Sequence, residues 1–181
     1  MITVKNAKKT MQCDECDMEM TEREATRETP YAYTLSGLKD VYLSGITVLK
    51  CQKCAAEAPI IPRIAELHRL IADTIVNWPT ELRGDEVRFL RKHAGFSATE
   101  FAALLGIDLS YLSRVEHGHH EHLGRPTDRL VRAIAIATRD GEATRERLLT
   151  VARRLAGVRA PKPAVRPVFR MEKNRWMAAA A

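Results

Sequence analysis

Residues 97–118 read SATEFAALLGIDLSYLSRVEHG, from Ser97 to Gly118. Ser97-Ala98-Thr99-Glu100 has the form of a capping box, in which the serine oxygen takes one free backbone N–H and the glutamate returns to another. The helix it opens runs through Leu105 and stops at Gly106, with Phe101, Ala102 and Leu105 facing inward and the small Ala102 permitting a close helix crossing. Asp108 is a second N-cap; it opens a helix to about His117, with Gly118 as its stop. Ile107, Leu112 and Val115 give this second helix its buried side. Two short helices joined across a glycine turn form a helix-turn-helix pattern.

Burying those three residues leaves Leu109, Ser110, Ser113 and Arg114 on the outer face. A recognition helix reads bases with residues near its N-terminus and one turn on. Arg114 can donate two bonds to O6 and N7 of guanine, Ser110 can bond a base edge or a phosphate, and Leu109 suits a thymine methyl group. Tyr111 and Ser113 fit phosphate contacts, which position a protein without carrying sequence information.

Outward from this stretch, residues 80–140 carry two more helices. Thr80 or Asp85 opens the first, in which Val87, Leu90 and Arg91 precede a stop at Gly95; the last runs from about Thr127 to Arg139. Upstream, Ile64, Leu67, Leu70 and Ile75 recur at helical spacing, and Trp78-Pro79 ends that run. Residues 62–79 are therefore expected to be a linker helix. Downstream, Leu148, Val151, Ala152 and Leu155 predict a further helix within 141–157. Residues 158–181 are basic and interrupted by proline, which predicts a disordered tail. His117, His119, His120 and His122 read as a polar loop near the DNA backbone, and His68 and His93 as ordinary helix residues.

The first third has another character. Pro30 to Leu49 is rich in β-branched and aromatic residues punctuated by Gly37, Asp40 and Gly45, which predicts two or three short strands. So small a region needs a staple. Cys13-x2-Cys16 and Cys51-x2-Cys54, separated by 34 residues, supply one. Each spacing lets a tight turn aim two thiolates at one ion, and together they complete the sulfur tetrahedron that Zn2+ accepts. With all four positions filled no place remains for a catalytic water, so one structural Zn2+ per chain is expected. Iron on the same sulfur set and a dithiol redox pair are the alternatives.

Charge separates these regions. The 181-residue chain has a net charge of +6, yet residues 141–181 carry 10 Lys+Arg against 3 Asp+Glu, while residues 1–140 are near neutrality. Between Met11 and Cys54 there are 5 Lys+Arg and 8 Asp+Glu, which suits a basic protein partner better than phosphates. No apolar run approaches the roughly 20 residues that span a bilayer, nor do the first residues form a signal peptide, so no membrane association and a cytoplasmic location are expected.

The expected organisation is an N-terminal extension (1–10), a four-cysteine zinc-binding domain (11–61), the linker helix (62–79), a helix-turn-helix domain (80–140), the C-terminal helix and the tail. The fold class is α+β: a small β-rich module followed by an all-α repressor-like domain.

Met11-Gln12-Cys13-Asp14-Glu15-Cys16, the strand-rich insert, Cys51-Gln52-Lys53-Cys54, the linker helix and a helix-turn-helix, in this order, resemble the MqsA-type antitoxins over roughly residues 11–140. Ser-Arg-Val-Glu-His-Gly at Ser113–Gly118 resembles the end of the phage-repressor-like (XRE) recognition helix. The resemblance implies a homodimer, a palindromic operator in double-stranded DNA read at Ser110 and Arg114, and a small basic toxin protein bound by the zinc module. The family pattern carries asparagine where Ser110 stands, which implies a different preferred operator, and many repressor-like domains carry a phosphate-bracing glutamine where Ala98 stands. A non-enzymatic transcriptional regulator is thus expected. The alternative is a zinc-stapled protein-interaction adaptor without sequence reading, and a thiol redox enzyme is the remaining class.

Overall fold

The computed structural model describes residues 11–138 and 168–179. The 1–10 extension and the helix expected within 141–157 lie outside the described residues.

Seven strands and five α-helices make up the described fold, which is α+β as the residue patterns indicate. Strand β1 (Met20–Ala25) pairs antiparallel with β4 (Ile46–Cys51), and β4 pairs antiparallel with β5 (Glu57–Ile60), giving one sheet of order β1-β4-β5. The register sets Met20 opposite Cys51 and Ala25 opposite Ile46, so this sheet carries the cysteine turns at one end.

The second sheet has the order β2-β3-β6-β7 and draws on both ends of the chain: β2 (Tyr31–Ala32), β3 (Tyr42–Ser44), β6 (Val168–Glu172) and β7 (Arg175–Ala179). Here the structure departs from the expected disordered tail, because Val168–Ala179 is a β-hairpin. Its strand β6 runs parallel to β3, with Leu43 opposite Phe169. The physical reason is that Phe169 and Trp176 bury themselves, at 2% and 5% exposure, while the turn residues Lys173 and Asn174 adopt φ of 44° and 62°, the left-handed pair a two-residue hairpin requires. Gly45 makes the junction possible: a Cβ there would lie 2.6 Å from the carbonyl oxygen of Met171.

Helix α1 (Ile64–Val76) buries Leu67, Ile71, Ala72, Ile75 and Val76. Each large apolar side chain so placed contributes about 1.5–3 kcal/mol. This helix is no free spacer. It packs on β7, where Trp176 Nε1 donates to Pro62 O at 2.9 Å, and it also meets α2 (Gly84–His93) and α5 (Arg125–Ala137). Leu38, Val41, Ile71, Ile75 and Phe169 border one void of about 30 Å³, room for a water at most. A single hydrophobic core therefore runs from Tyr31, Leu43 and Phe169 through α1 into Val87, Leu90, Phe101, Leu112 and Val131.

Candidate nucleic-acid interface and metal centre

The two cysteine turns meet. Cys13 precedes a tight turn, with Asp17 N donating to Cys13 O at 2.9 Å; Cys51 ends β4 and Cys54 follows in the turn before β5. The residue after each turn, Asp17 or Ala55, has φ near 60° (57° and 59°), so the knuckles share one backbone geometry. All four Sγ atoms lie within 4.8 Å of one another, and the close pairs are Cys13–Cys54 at 3.5 Å, Cys16–Cys51 at 3.4 Å and Cys16–Cys54 at 3.7 Å. A tetrahedral ion with sulfur at about 2.3 Å needs sulfur–sulfur edges of roughly 3.8 Å, and this set fits it. The backbone N–H groups of Cys54 and Lys53 bring the Cys51 thiol down to about 6, while bonds to neighbouring sulfurs raise Cys16 and push Cys54 up to about 12, so Cys51 is the thiolate present before a metal binds. The four cysteines named from spacing are thus together and able to hold a metal ion.

The helix-turn-helix follows its local signals closely. Helix α3 (Ala98–Leu105) starts at Ser97, whose Oγ accepts from Glu100 N at 3.2 Å while Ser97 N donates to Glu100 Oε2 at 2.9 Å. Helix α4 (Leu109–Glu116) starts at Asp108, whose Oδ1 accepts the N–H of Ser110 at 2.8 Å and of Tyr111 at 3.3 Å, and also the Ser110 hydroxyl. The Ser110 hydroxyl first, and then those backbone donors, hold the Asp108 carboxyl below its usual value, so the cap stays ionised.

Leu112 and Val115 of α4 are fully buried, as are Phe101 and Ala102 beneath them, while Ile107 is half-buried. Leu109, Ser110 and Arg114 are exposed and Ser113 and Tyr111 half-buried, so all five named residues lie along one accessible helix. Two of them are partly engaged. The Tyr111 hydroxyl donates to His122 O at 3.5 Å and its ring lies against His120, centroids 5.5 Å apart; Ser113 Oγ sits 3.4 Å from His117 Nδ1, which donates to Ser113 O at 2.7 Å. Tyr111 thereby braces the histidine loop onto α4.

What orients α4 is a pair that helical periodicity could not assign. Arg91 on α2 grips Glu116, with Nε–Oε1 and Nη2–Oε2 both 2.7 Å, and its remaining Nη1 donates to Phe96 O at 2.9 Å. Both side chains are buried. The bidentate fork fixes the end of α4 against α2 in a way one bond would not. Beside it, Gly84 lets the start of α2 touch α4: a Cβ at Gly84 would stand 1.8 Å from Val115 O. The only sequence signal for this pair was the glutamate of Ser113–Gly118, whose partner lies 25 residues upstream.

A four-cysteine cluster able to hold a metal ion, on a small β module joined through one core to a helix-turn-helix with an exposed polar face, is the arrangement the structure shows. The helix-turn-helix family model matches residues 87–139, less than a third of the chain, and its span begins within α2 and takes in α3, α4 and α5. No curated protein and no solved structure matches the chain. The match supports a DNA-binding transcription regulator of XRE type, a family of regulators that is generally non-enzymatic. Among the described residues no helix is long and apolar enough to cross a membrane.

Proposed function

We propose that the protein is a homodimeric, sequence-specific transcription regulator that binds a palindromic operator through α4, with Zn2+ closing the four-cysteine module and that module engaging a protein partner. The observation that carries the reading is the pairing of an exposed Ser110–Arg114 face with a buried Arg91–Glu116 grip on the same helix. Base reading needs a side chain held in fixed register, and the grip supplies it. Arg114 donates to guanine. The Ser110 hydroxyl, already donating to Asp108, turns acceptor lone pairs outward, which suits an exocyclic amino group of adenine or cytosine.

An antitoxin-like role for the metal module rests on charge. Asp14, Glu15, Asp17, Glu19, Glu22, Glu24 and Glu28 are all exposed, an acidic face suited to a small basic toxin protein and unsuited to phosphates.

Selection from randomised duplexes tests the DNA reading. A palindrome is expected, bound by two chains, and Arg114→Ala should cost about 1–3 kcal/mol and relax one base position per half-site. Recovery of no motif would leave the adaptor reading in its place.

A further inference from the structure

Two hollows of about 460 and 560 Å³ share Gly37, Asp85 and Arg88 in their walls, so they form one groove between the turn at residues 35–39 of the cysteine module and the outer face of α2. At one end lie Lys92 and His93; at the other lie His117, His120 and His122, in the segment that leaves the C-terminal end of α4.

The charges in this groove are unequally spent. Arg83 is neutralised by Asp40 and Asp85, each at 2.9 Å, and by Glu86 at 3.2 Å. Asp85 also accepts the Lys39 N–H at 3.0 Å, and Glu116 is held by Arg91. Lys39, Arg88 and Lys92 form no ion pair among the described residues, and Glu121 is the one lining carboxylate left without one. Arg88 and Lys92 are one helical turn apart, about 6 Å along the axis. A row of free cations continued by three imidazoles calls for an extended polyanion.

We propose that this groove is a phosphate track that grips the DNA backbone flanking each half-site, with Lys39 of the cysteine module and Arg88 and Lys92 of α2 as its cationic contacts. This rests on the reading of α4 as the base-reading helix. DNA is favoured over an acidic protein segment because the groove is continuous with the loop that α4 runs into, so a backbone leaving α4 meets His117–His122 and then Arg88. The track would let the cysteine module add affinity without base contacts, through counterion release.

The test uses the full chain and two duplexes: the selected palindrome alone, and the same palindrome with about ten arbitrary base pairs added on each side. The wild type should bind the longer duplex more tightly and with a steeper salt dependence, by about two to three units of log–log slope per chain. Lys39→Ala/Arg88→Ala/Lys92→Ala should lose that increment while keeping wild-type affinity and sequence preference on the short duplex. Arg114→Ala should weaken both duplexes equally and keep the increment, so loss of base reading and loss of the track are separate results. If the selection yields no motif, α4 does not read sequence, and the track is judged by whether the triple variant lowers the salt slope on an arbitrary duplex. An increment retained by the triple variant overturns the track. Loss of binding to a labelled polyglutamate by a variant that keeps the increment would assign the groove to an acidic protein segment instead.

Discussion

Asp128 and Arg132, one turn apart on α5, form a buried ion pair, with Arg132 Nε 2.8 Å from Asp128 Oδ2 and Arg132 fully excluded from solvent. The pair is a clasp between two parts of the fold. Arg132 donates to Ile75 O, Val76 O, Trp78 O and Thr80 O at 2.6–3.2 Å, which satisfies carbonyls at the end of α1 and just beyond it. Asp128 Oδ1 accepts the N–H of Leu82 at 2.6 Å. The whole connection from α1 to α2 is thus pinned by one side-chain pair.

Arg132→Met should be strongly destabilising, by about 3–5 kcal/mol, because it strands a buried carboxylate. A buried ion pair replaced on both sides by apolar residues is often tolerated, but here Arg132→Met/Asp128→Leu should stay destabilised, since the carbonyls of residues 75–80 and the Leu82 N–H would still lack partners. Urea unfolding of the single and double variants checks this. A double variant as stable as the wild type would mean that the main-chain bonds contribute nothing.

Gly84 and Val115 set a second expectation. With a backbone oxygen 1.8 Å from the position a Cβ would take, Gly84→Ala cannot be absorbed by a rotamer change, and α2 must move off α4. The loss should be about 3 kcal/mol, at the upper end of ordinary overpacking. DNA affinity should fall as well, because the same shift pulls Arg91 from Glu116. Comparison with Gly37→Ala, which meets nothing within 4 Å but has φ of +77°, separates overpacking from backbone strain; the Gly37 variant should lose only about 1 kcal/mol of stability.

The parts of this fold that were readable in sequence are those whose cause is local. Ser97, Glu100, Gly106 and Asp108 each act within four residues, and α3 and α4 begin and end where these residues place them. The paired C-x2-C turns were readable because metal geometry dictates their spacing. Strand β1 was not: in Met20–Ala25 only Ala25 is buried, so no apolar alternation marks it, and its place is set by pairing with β4. The hairpin of β6 and β7 was hidden because its two buried aromatics stand among prolines and arginines, and its Lys173-Asn174 turn has no glycine. Arg132 occupies the buried stripe of α5 with Val131, Ala135 and Ile136, where periodicity alone treats an arginine as surface. In each case the deciding partner is distant in the chain.

His68 and His93 show the same limit and give a pH prediction. Tyr33, His68, Phe89 and His93 form a run of ring contacts with centroids 5.8–6.0 Å apart, and the Tyr33 hydroxyl lies 2.9 Å from His68 Nε2. Burial lowers both imidazoles below the ordinary 6.5, and the charges of His68 and Arg69 lower His93 further. The unfolded chain therefore takes up these protons first as pH falls, and stability is lost from about pH 6.5 downward to the folded values. The urea midpoint should drop between pH 7 and pH 5, and His68→Gln/His93→Gln should show a smaller drop. Parallel curves for variant and wild type would place the sensitivity elsewhere.

Metal removal should act on the β module far more than on the helices. Cys13 and Cys51 are buried but lie outside the continuous core, whereas Ala25, Ile46 and Val48 of the same sheet belong to it. The sheet is therefore anchored at one end by packing and closed at the other by the cysteine cluster. Without a cation no covalent bond ties the four sulfurs to one another, and Ala55 is held at φ 59° with no side-chain bond to offset the strain. A strong chelator should make four unreactive thiols reactive and lower the first thermal transition, while the helical circular dichroism of α2–α5 persists. Ala55→Gly should relieve about 1 kcal/mol of backbone strain and slow metal loss to the chelator. Two thiols reacting rapidly before any chelator is added would contradict a four-sulfur site and point to dithiol chemistry.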